Sequence, residues 1–464
     1  MTKRRALLIL PLTAALAVCS DAPVDTTQPE VDASWIGNGY GRGIHDAAGL
    51  REALDAASRS HRPTVIRLKR GTTIELGATV THTGSAPLVI DGRGSTIVGP
   101  TEGDGLAFVG GADLTFRNLT VRGAGGHGIY VEVPAARTGT VRVEANDLTA
   151  RDNGFARLCV DDHVYDSPDS ISARLVRSTF TGNNTAGIGE ALDYDQIVAL
   201  ADKDGLRVNE GGPGDLHVFI AHSAFFENQA DGVEVDETGP GSVYSQVVSS
   251  RFDDNGDQLQ FPDEVPPGFP DDPSEYEKDL EDGFDIDEND EGGVWARFRN
   301  VTANGNEDEG IDLDETFDGS IEMVGSHVVA NDNFGAGIQL TESEDEPGSD
   351  GHVIVRLLNV EANDSRDSRR IRLEELQPGD VLGRIVRGTF HDNDSDGVRI
   401  EEYGDGRIDF HFNASAFTGN GGEGLQAEEN GTLSLVRPTF ADNGDGPEDD
   451  IDADDDVEVI RRGG

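Results

Sequence analysis

Three acidic residues occupy the same place in three successive copies of one short motif. Glu234, Asp285 and Asp312 are each the x of a Gly-apolar-x-apolar run. If these runs stack as neighbouring strands, the three carboxylates lie about 4.8 Å apart and repel one another by about 3 kcal/mol at an effective dielectric of 20. Oxygen ligands at that spacing suit Ca²⁺, whereas Zn²⁺ prefers His and Cys. The trio is therefore a candidate calcium site.

Basic residues fill the same place in other copies. Arg207 precedes the trio, Arg372 and Arg399 follow it, and Lys203 lies four residues before Arg207. Two interpretations stay open for these side chains, either catalytic groups or counter-ions in an acidic stack. The whole column reads Tyr130, Cys159, Arg207, Glu234, Asp285, Asp312, Gln339, Arg372, Arg399 and Gln426.

A second acidic column follows three residues later in almost every copy. It contains Asp162, Glu210, Glu237, Glu288, Glu315, Glu342, Glu375, Glu402 and Glu429. A column of that length indicates a solvated acidic face adapted to salt, or a row of weak Ca²⁺ sites, more than one catalytic centre. The same explanation is the alternative for the trio.

The elements that must position these residues recur about every 27 residues. Gly310 to Gly337 and Gly397 to Gly424 are each 27 residues. Short period-2 stretches separated by Asn and Gly turns, without a helical pattern, predict a parallel β-solenoid. The recurring turn asparagine, aligned as Asn228, Asn304 and Asn420, predicts a ladder of side-chain hydrogen bonds. The motif glycine is expected to supply a left-handed backbone at each corner.

The composition limits the partners. The 464 residues include 37 basic and 89 acidic side chains, a formal net charge of −52, which makes nucleic acid and anionic membranes poor partners. The acid excess and the preference for arginine over lysine resemble halophilic proteins. The low hydrophobicity would suit disorder if the apolar residues were not periodic. Two cysteines, Cys19 and Cys159, exclude a disulfide framework and a thiolate metal site.

An amphipathic segment precedes the repeats. Its apolar residues Ala47, Leu50, Leu54 and Ala57 have helical spacing, and strands such as 64–68 and 114–121 follow. With the repeat, this order resembles right-handed parallel β-helix proteins of the pectate-lyase-like superfamily, from Leu50 to about Ile451. The resemblance implies one right-handed β-helix of about eleven coils with a capping helix near residues 46–58. Residues 35–112 are then the cap and first coils, and 113–464 the repeats.

The same resemblance implies a function. In that superfamily the face formed by the Gly-apolar-x-apolar runs carries active sites, and pectate lyases bind calcium there with an arginine nearby. Lys203 or Arg207 is then the candidate base, and Arg372 and Arg399 are candidates for neutralising a substrate carboxylate. We expect a monomer that binds or processes acidic polysaccharide or cell-surface glycan, as a calcium-dependent lyase. The alternative is a non-catalytic adhesion or structural solenoid with an acidic cation-binding face.

Two insertions flank the coil of Glu234. Residues 184–203 and 257–282 lengthen the turn before the motif, include Lys203 and Lys278, and are placed to wall a groove over the trio. The register between 184 and 288 stays open, because 259–264 also fits a coil of its own.

The N-terminus predicts export. Lys3, Arg4 and Arg5 precede an apolar run from Ala6 to Val18, so residues 1–18 are a predicted signal peptide and 19–34 a polar tether. The sequence before Cys19 resembles a lipobox, which predicts lipidation of Cys19, while Ala15 to Ala17 offers an ordinary cleavage site. The protein is thus expected to be secreted or an outer-surface lipoprotein, touching a membrane only through that anchor.

Overall fold

The computed structural model describes residues 43–162, 168–182, 203–256, 281–342, 351–365, 371–376, 378–444, 450–454 and 456–462, with the backbone of 34–36. The predicted signal peptide, Cys19, residues 19–33 of the tether, and most of both insertions, including Lys278, lie outside these residues. Within the described part, no helix is long and apolar enough to span a membrane.

The predicted capping helix is present as α1 (Ala47–Ser58). Asp46 is its N-cap, and the Asp46 carboxylate accepts a hydrogen bond from the Gly49 N–H at 2.8 Å, which satisfies one free donor of the first turn. Leu50 and Leu54 are fully buried on the face that meets the first coils. The helix therefore closes the apolar interior at the N-terminal end.

One sheet contains a strand from each successive coil, all parallel. Its 13 strands are β4 (Val80–His82), β6 (Leu106–Phe108), β8 (Ile129–Glu132), β10 (Leu158–Asp162), β13 (Leu206–Glu210), β16 (Val233–Glu237), β19 (Asp287–Glu288), β21 (Asp314–Glu315), β23 (Ile338–Glu342), β25 (Ile371–Glu375), β28 (Val398–Glu402), β31 (Leu425–Glu428) and β34 (Ile451–Ala453). The number of coils thus slightly exceeds the eleven expected.

A second parallel sheet of 22 strands forms the remaining sides. Its strands are β1 (Ser34–Ile36), β2 (Thr64–Arg67), β3 (Thr73–Glu75), β5 (Leu88–Val98), β7 (Leu114–Arg122), β9 (Gly139–Arg151), β11 (Asp169–Val176), β12 (Thr179–Thr181), β14 (Leu216–Ala221), β15 (Ala224–Phe226), β17 (Val243–Val248), β18 (Arg251–Asp253), β20 (Val294–Asn304), β22 (Ser320–Val329), β24 (His352–Asn363), β26 (Asp380–Val386), β27 (Thr389–His391), β29 (Arg407–Asn413), β30 (Ala416–Thr418), β32 (Gly431–Val436), β33 (Thr439–Ala441) and β35 (Val457–Arg462).

This second sheet bends at one residue in each coil. The bend residue has a positive φ, for example 54° at His222, 49° at Ser249 and 54° at Asn300. We call the segment before the bend the first arm and the segment after it the second arm. The two sheets together confirm the predicted all-β, right-handed parallel β-helix with a short helix near its N-terminus.

The predicted asparagine ladder is confirmed, with one correction. The Asn228 amide donates to Asn255 Oδ1 at 2.8 Å, and the Asn255 amide donates to Asn306 Oδ1 at 3.1 Å. Asn306 therefore takes the place that the sequence alignment gave to Asn304. Asn304 lies two residues earlier and donates to Asp253 instead. A further link joins Asn420 to Asn443 at 2.8 Å.

Glycine is required at the motif position for a different reason from the one expected. Gly232 and Gly283 are not in the left-handed region. A Cβ on Gly232 would lie 2.4 Å from the Gly283 carbonyl oxygen and 2.8 Å from the Asn255 amide. Glycine is needed there because the next coil and the asparagine ladder approach so closely.

The register near the second insertion is now determined. Val233 bridges directly to Phe284, and Asp236 pairs with Asp287. The strands before and after the second insertion are therefore direct neighbours, and residues 259–264 themselves lie outside the described part of the chain.

Candidate functional site

The outward column predicted on the 13-stranded sheet is confirmed by strand register. Arg207 pairs with Glu234, and the bridges Val233–Phe284 and Phe284–Ile311 place Asp285 and Asp312 in the next two coils. The column continues to Gln339, Arg372, Arg399 and Gln426. Neighbouring members are one strand spacing apart, about 4.8 Å.

Two members of the predicted metal trio converge with a third carboxylate from the turn. Asp282, Asp285 and Asp312 each place one carboxylate oxygen within 4.8 Å of the others. Asp312 accepts hydrogen bonds from the Leu313 N–H at 2.8 Å and from the Gln339 amide at 3.0 Å. Ca²⁺ binds oxygens at about 2.3–2.6 Å, so three oxygens at this separation fit one ion.

The third member of the trio belongs to a neighbouring group. Glu234 lies with Asp204 and Asp231, again with one oxygen of each within 4.8 Å. Arg207 holds this group, since its guanidinium contacts Glu234 at 2.6 Å and Asp236 at 2.9 Å. The structure therefore divides the predicted trio between an arginine-bound group and a group without arginine.

The electrostatics of the second group differ from those of an ordinary surface. Burial raises the pKa of Asp312 to about 7, although its two hydrogen bonds act in the opposite direction. Burial and the neighbouring carboxylates Asp287 and Asp282 raise the pKa of Asp285 well above its usual range. Among the described residues, neither Asp285 nor Asp312 forms an ion pair with a basic side chain. Burial and the neighbouring carboxylates therefore disfavour the fully ionised form of this group.

The turn acids were missed by the sequence reasoning. Asp231 and Asp282 immediately precede the motif glycines, and each accepts a backbone N–H from the next coil, from Asp282 and Glu309 respectively. The second of these hydrogen bonds is 2.6 Å. An acidic residue directly before glycine in four successive copies, from Asp204 to Glu309, was the available signal.

The predicted cationic groups are engaged with protein partners. Arg372 contacts Glu374 at 2.5 Å and Gln339 at 3.2 Å. Arg399 contacts Glu428 at 2.9 Å and also Glu401. With Arg207, these side chains occupy the counter-ion positions that the sequence left open as an alternative.

Lys203 lies at the edge of the arginine-bound group. It is 3% exposed, and its ammonium donates to Gln229 Oε1 at 2.7 Å. Its neighbour Asp204 belongs to the group of Glu234. Lys203 is therefore a buried residue next to the arginine-bound group, with Gln229 as one partner of its ammonium.

The second acidic column is buried except at Glu429, in contrast to the solvated face expected. Glu210, Glu237, Glu288 and Glu315 are at most 1% exposed. One oxygen of each accepts the backbone N–H two residues later, at 3.0 to 3.3 Å. Burial, together with hydrogen bonds to Glu315 and Glu237, raises the pKa of Glu288 to about 11. At neutral pH Glu288 is thus a protonated acid between two neighbouring glutamates.

Comparison with known proteins gives similarity to solved structures alone. No family model matches the chain, and no curated protein matches it. Pectate lyase Pel9A is 13% identical over 71% of this chain and 77% of its own, with a TM-score of 0.40. The periplasmic alginate epimerase AlgG is 10% identical over 99% of this chain and 100% of its own, with a TM-score of 0.35. PfbA, a surface adhesin of Streptococcus pneumoniae, is 10% identical over 87% and 90%, with a TM-score of 0.38.

Proposed function

We propose that this protein is exported and binds acidic polysaccharide, and that a Ca²⁺ ion held by Asp282, Asp285 and Asp312 is the point of attachment. The observation that carries the proposal is the convergence of these three carboxylates on the 13-stranded sheet, where no arginine of the described residues forms an ion pair with them. Glu234, the remaining member of the predicted trio, extends the acidic surface in the preceding coil.

A bound cation offsets two unfavourable electrostatic interactions. Uncompensated carboxylates at this spacing repel by about 3 kcal/mol at an effective dielectric of 20, and a bound Ca²⁺ removes that cost. A chain with a net charge of −52 also repels a polyuronate, and a cation with open coordination positions offers the polymer carboxylate a ligand site. Ca²⁺ suits this role because it takes 6–8 oxygen ligands in flexible geometry, more than three side chains supply.

Elimination on the bound polymer is the finer form of the proposal. A lyase needs a base for the proton beside the uronate carboxylate and a cation to stabilise the enolate. Lys203 or Arg207 is the candidate base, and Arg372 with Arg399 would neutralise the substrate carboxylate. The pairing of all three arginines favours the other form, a non-catalytic adhesion or structural solenoid that binds through the cation alone.

The test separates binding from chemistry. Pectate, alginate and glycosaminoglycans are incubated with the protein at high salt, with and without Ca²⁺, and absorbance follows unsaturated uronate products while affinity electrophoresis follows binding. Binding that requires Ca²⁺ and is lost in Asp285→Asn supports the proposal, and product formation adds the lyase step.

A matched control is Asp392→Asn. It removes one carboxylate from the exposed group Asp364, His391 and Asp392 on the second arm, so binding should be unchanged. Equal loss in both variants, or binding without Ca²⁺, would overturn the cation proposal.

A further inference from the structure

The outer surface of the first arm carries a groove of about 430 Å³. It lies on the 22-stranded sheet, away from the acidic groups of the 13-stranded sheet. Two outward columns line it across strands β11, β14, β17 and β20. One column contains His217, Tyr244 and Trp295, and the other contains Arg174, Phe219, Gln246 and Arg297.

The first column is an aromatic stack. The ring centroids of His217 and Tyr244 are 5.0 Å apart with planes 20° from parallel, and those of Tyr244 and Trp295 are 5.0 Å apart at 10°. Tyr244 is 39% exposed, which is unusual in a chain whose aromatic residues are otherwise mostly interior. Because the rings cover one another's faces, their edges and polar atoms form the wall of the groove.

Arginines stand at both ends of the second column. The Arg174 guanidinium lies 4.7 Å from the centre of the Phe219 ring, and Arg297 is three strands further along, about 14 Å away at 4.8 Å per strand. Within the described part of the chain, neither forms an ion pair with a carboxylate. In a protein with 89 acidic residues, these two arginines give the groove a local positive charge, with Glu144 as the in-register neighbour of Arg174 on β9.

The same column continues with positive charge beyond the groove. Arg356 and Arg384 are paired in adjacent strands, and Arg356 also contacts Glu322. Burial and the charge of Arg356 lower the pKa of Arg384. Like charges therefore face each other along the axis of the β-helix, although carboxylates are abundant elsewhere.

The spacing of these charges identifies the kind of ligand. DNA presents one charge per roughly 1.7 Å, far denser than four arginines spread over six strand spacings, about 29 Å. A linked hexuronate residue is about as long as one strand spacing and carries one carboxylate. Guanidinium groups bind carboxylates in a bidentate manner. The Gln246 amide, the Tyr244 hydroxyl and the aromatic edges suit sugar hydroxyls and C–H groups.

We propose that this groove is a second binding surface, which holds an oligouronate chain lengthwise between Arg174 and Arg297, with its sugar rings against the aromatic column. The surface uses no cation. Its occupancy is therefore independent of the Ca²⁺ group on the other sheet.

The two tryptophans of the chain, Trp35 and Trp295, allow a direct test. In the full-length Trp35→Phe variant, Trp295 is the single tryptophan, and it lines the groove. Hexamers of galacturonate and of mannuronate are titrated in EDTA, with a neutral hexasaccharide and a single-stranded oligonucleotide of equal charge as comparison ligands. We expect a saturable change in emission with the hexuronates alone. Because EDTA removes Ca²⁺, failure of the cation proposal leaves this result unchanged.

Substitutions of the two arginines test which charges of the groove bind the hexuronate. Arg174→Gln and Arg297→Gln should each weaken hexuronate binding by about tenfold, the scale of one charge-assisted hydrogen bond. Arg251→Gln is the matched control, because the Arg251 guanidinium lies 4.1 Å from the centre of the Phe226 ring on the second arm, and it should bind as the parent does. Melting temperatures verify that the variants fold.

Three results would overturn the proposal. The first is no emission change with any hexuronate while acrylamide still quenches Trp295. The second is equal or tighter binding of the neutral sugar or the oligonucleotide. The third is an equal loss of affinity in Arg251→Gln and Arg297→Gln, which would show that binding depends on the overall charge of the protein and not on the arginines of the groove.

Discussion

The central and C-terminal coils place acidic residues at the same positions of the 13-stranded sheet, yet they neutralise them differently. In the C-terminal coils Arg399 contacts Glu401 and Glu428, and Arg372 contacts Glu374. In the central coils, the corresponding pairs of positions hold aspartates alone, at 285 with 287 and at 312 with 314.

The pKa values follow this difference. Although burial opposes it, hydrogen bonds from Glu374 and Tyr403 and the charge of Arg399 lower the pKa of Glu401. Burial and the charges of Asp312 and Asp287 raise the pKa of Asp314 well above its usual range. The same strand position is therefore neutralised by a guanidinium in one region, whereas in the other region burial and neighbouring carboxylates disfavour its ionised form.

Removing the arginine that neutralises the buried glutamate Glu401 of the C-terminal coils should have the largest effect on the free energy of unfolding. Arg399→Gln leaves Glu401, which is 1% exposed, without its main cation, so the free energy of unfolding at pH 7 should fall by about 4 kcal/mol. Urea unfolding measures the change. Arg177→Gln, which removes an exposed ion pair to Asp147, is the control and should cost less than about 1 kcal/mol. Equal losses would contradict the comparison.

The pH dependence should differ in sign between the regions. Glu288 has a raised pKa of about 11, so its contribution to stability is fully present below the usual carboxyl pKa and is lost progressively as the pH rises from there to about 11. Glu288→Gln removes this titrating group. Between pH 6 and 8, the free energy of unfolding of the variant should therefore fall by roughly 3 kcal/mol less than that of the wild type.

Glu401→Gln tests the opposite sign. Because the pKa of Glu401 is lowered, its contribution is present above the usual carboxyl range and is lost as the pH falls. This variant should therefore lose stability at pH 7 and approach the wild type in acid. Denaturant unfolding from pH 3 to 8 measures both variants, and parallel curves would refute the assignment.

Calcium should stabilise the central coils. An ion bound only by the folded state adds about 2.7 kcal/mol at a hundredfold excess over its dissociation constant. Melting temperatures are compared in CaCl₂ and in NaCl of matched ionic strength. The calcium increment should vanish in the double variant Asp285→Asn, Asp312→Asn and persist in Glu374→Gln. An increment equal in all three proteins would make the acidic groups an ordinary salt-adapted surface.

Removing one central carboxylate should have the smallest effect, and a favourable one. In EDTA, Asp285→Asn relieves repulsion from Asp282 and Asp312 and should raise the free energy of unfolding by about 1 kcal/mol, part of the repulsion expected at this spacing. Chemical denaturation at pH 8 measures it. Destabilisation in EDTA would show that Asp285 has a donor or cation partner already within the protein.

The sequence alone determined the coil and the outward column. A 27-residue period together with period-2 alternation defines which residues stack, because neighbouring strands of a parallel solenoid pair in register. The column from Arg207 through Asp312 to Arg399 follows from that rule without further information. The alternation also contained the signal for the buried ladder, since Glu237 is two residues after the inward Val235 and has the same parity.

Tertiary structure decided what the periodicity does not encode. Asp282, which immediately precedes the motif glycine, joins Asp285 and Asp312. Asn306 takes the place expected for Asn304 because Ala303, not Val301, occupies the strand position of Phe225 and Phe252. Whether a stacked carboxylate meets an arginine, a backbone N–H or another carboxylate depends on side-chain direction and burial. These are set by packing between coils, which a single repeat cannot specify.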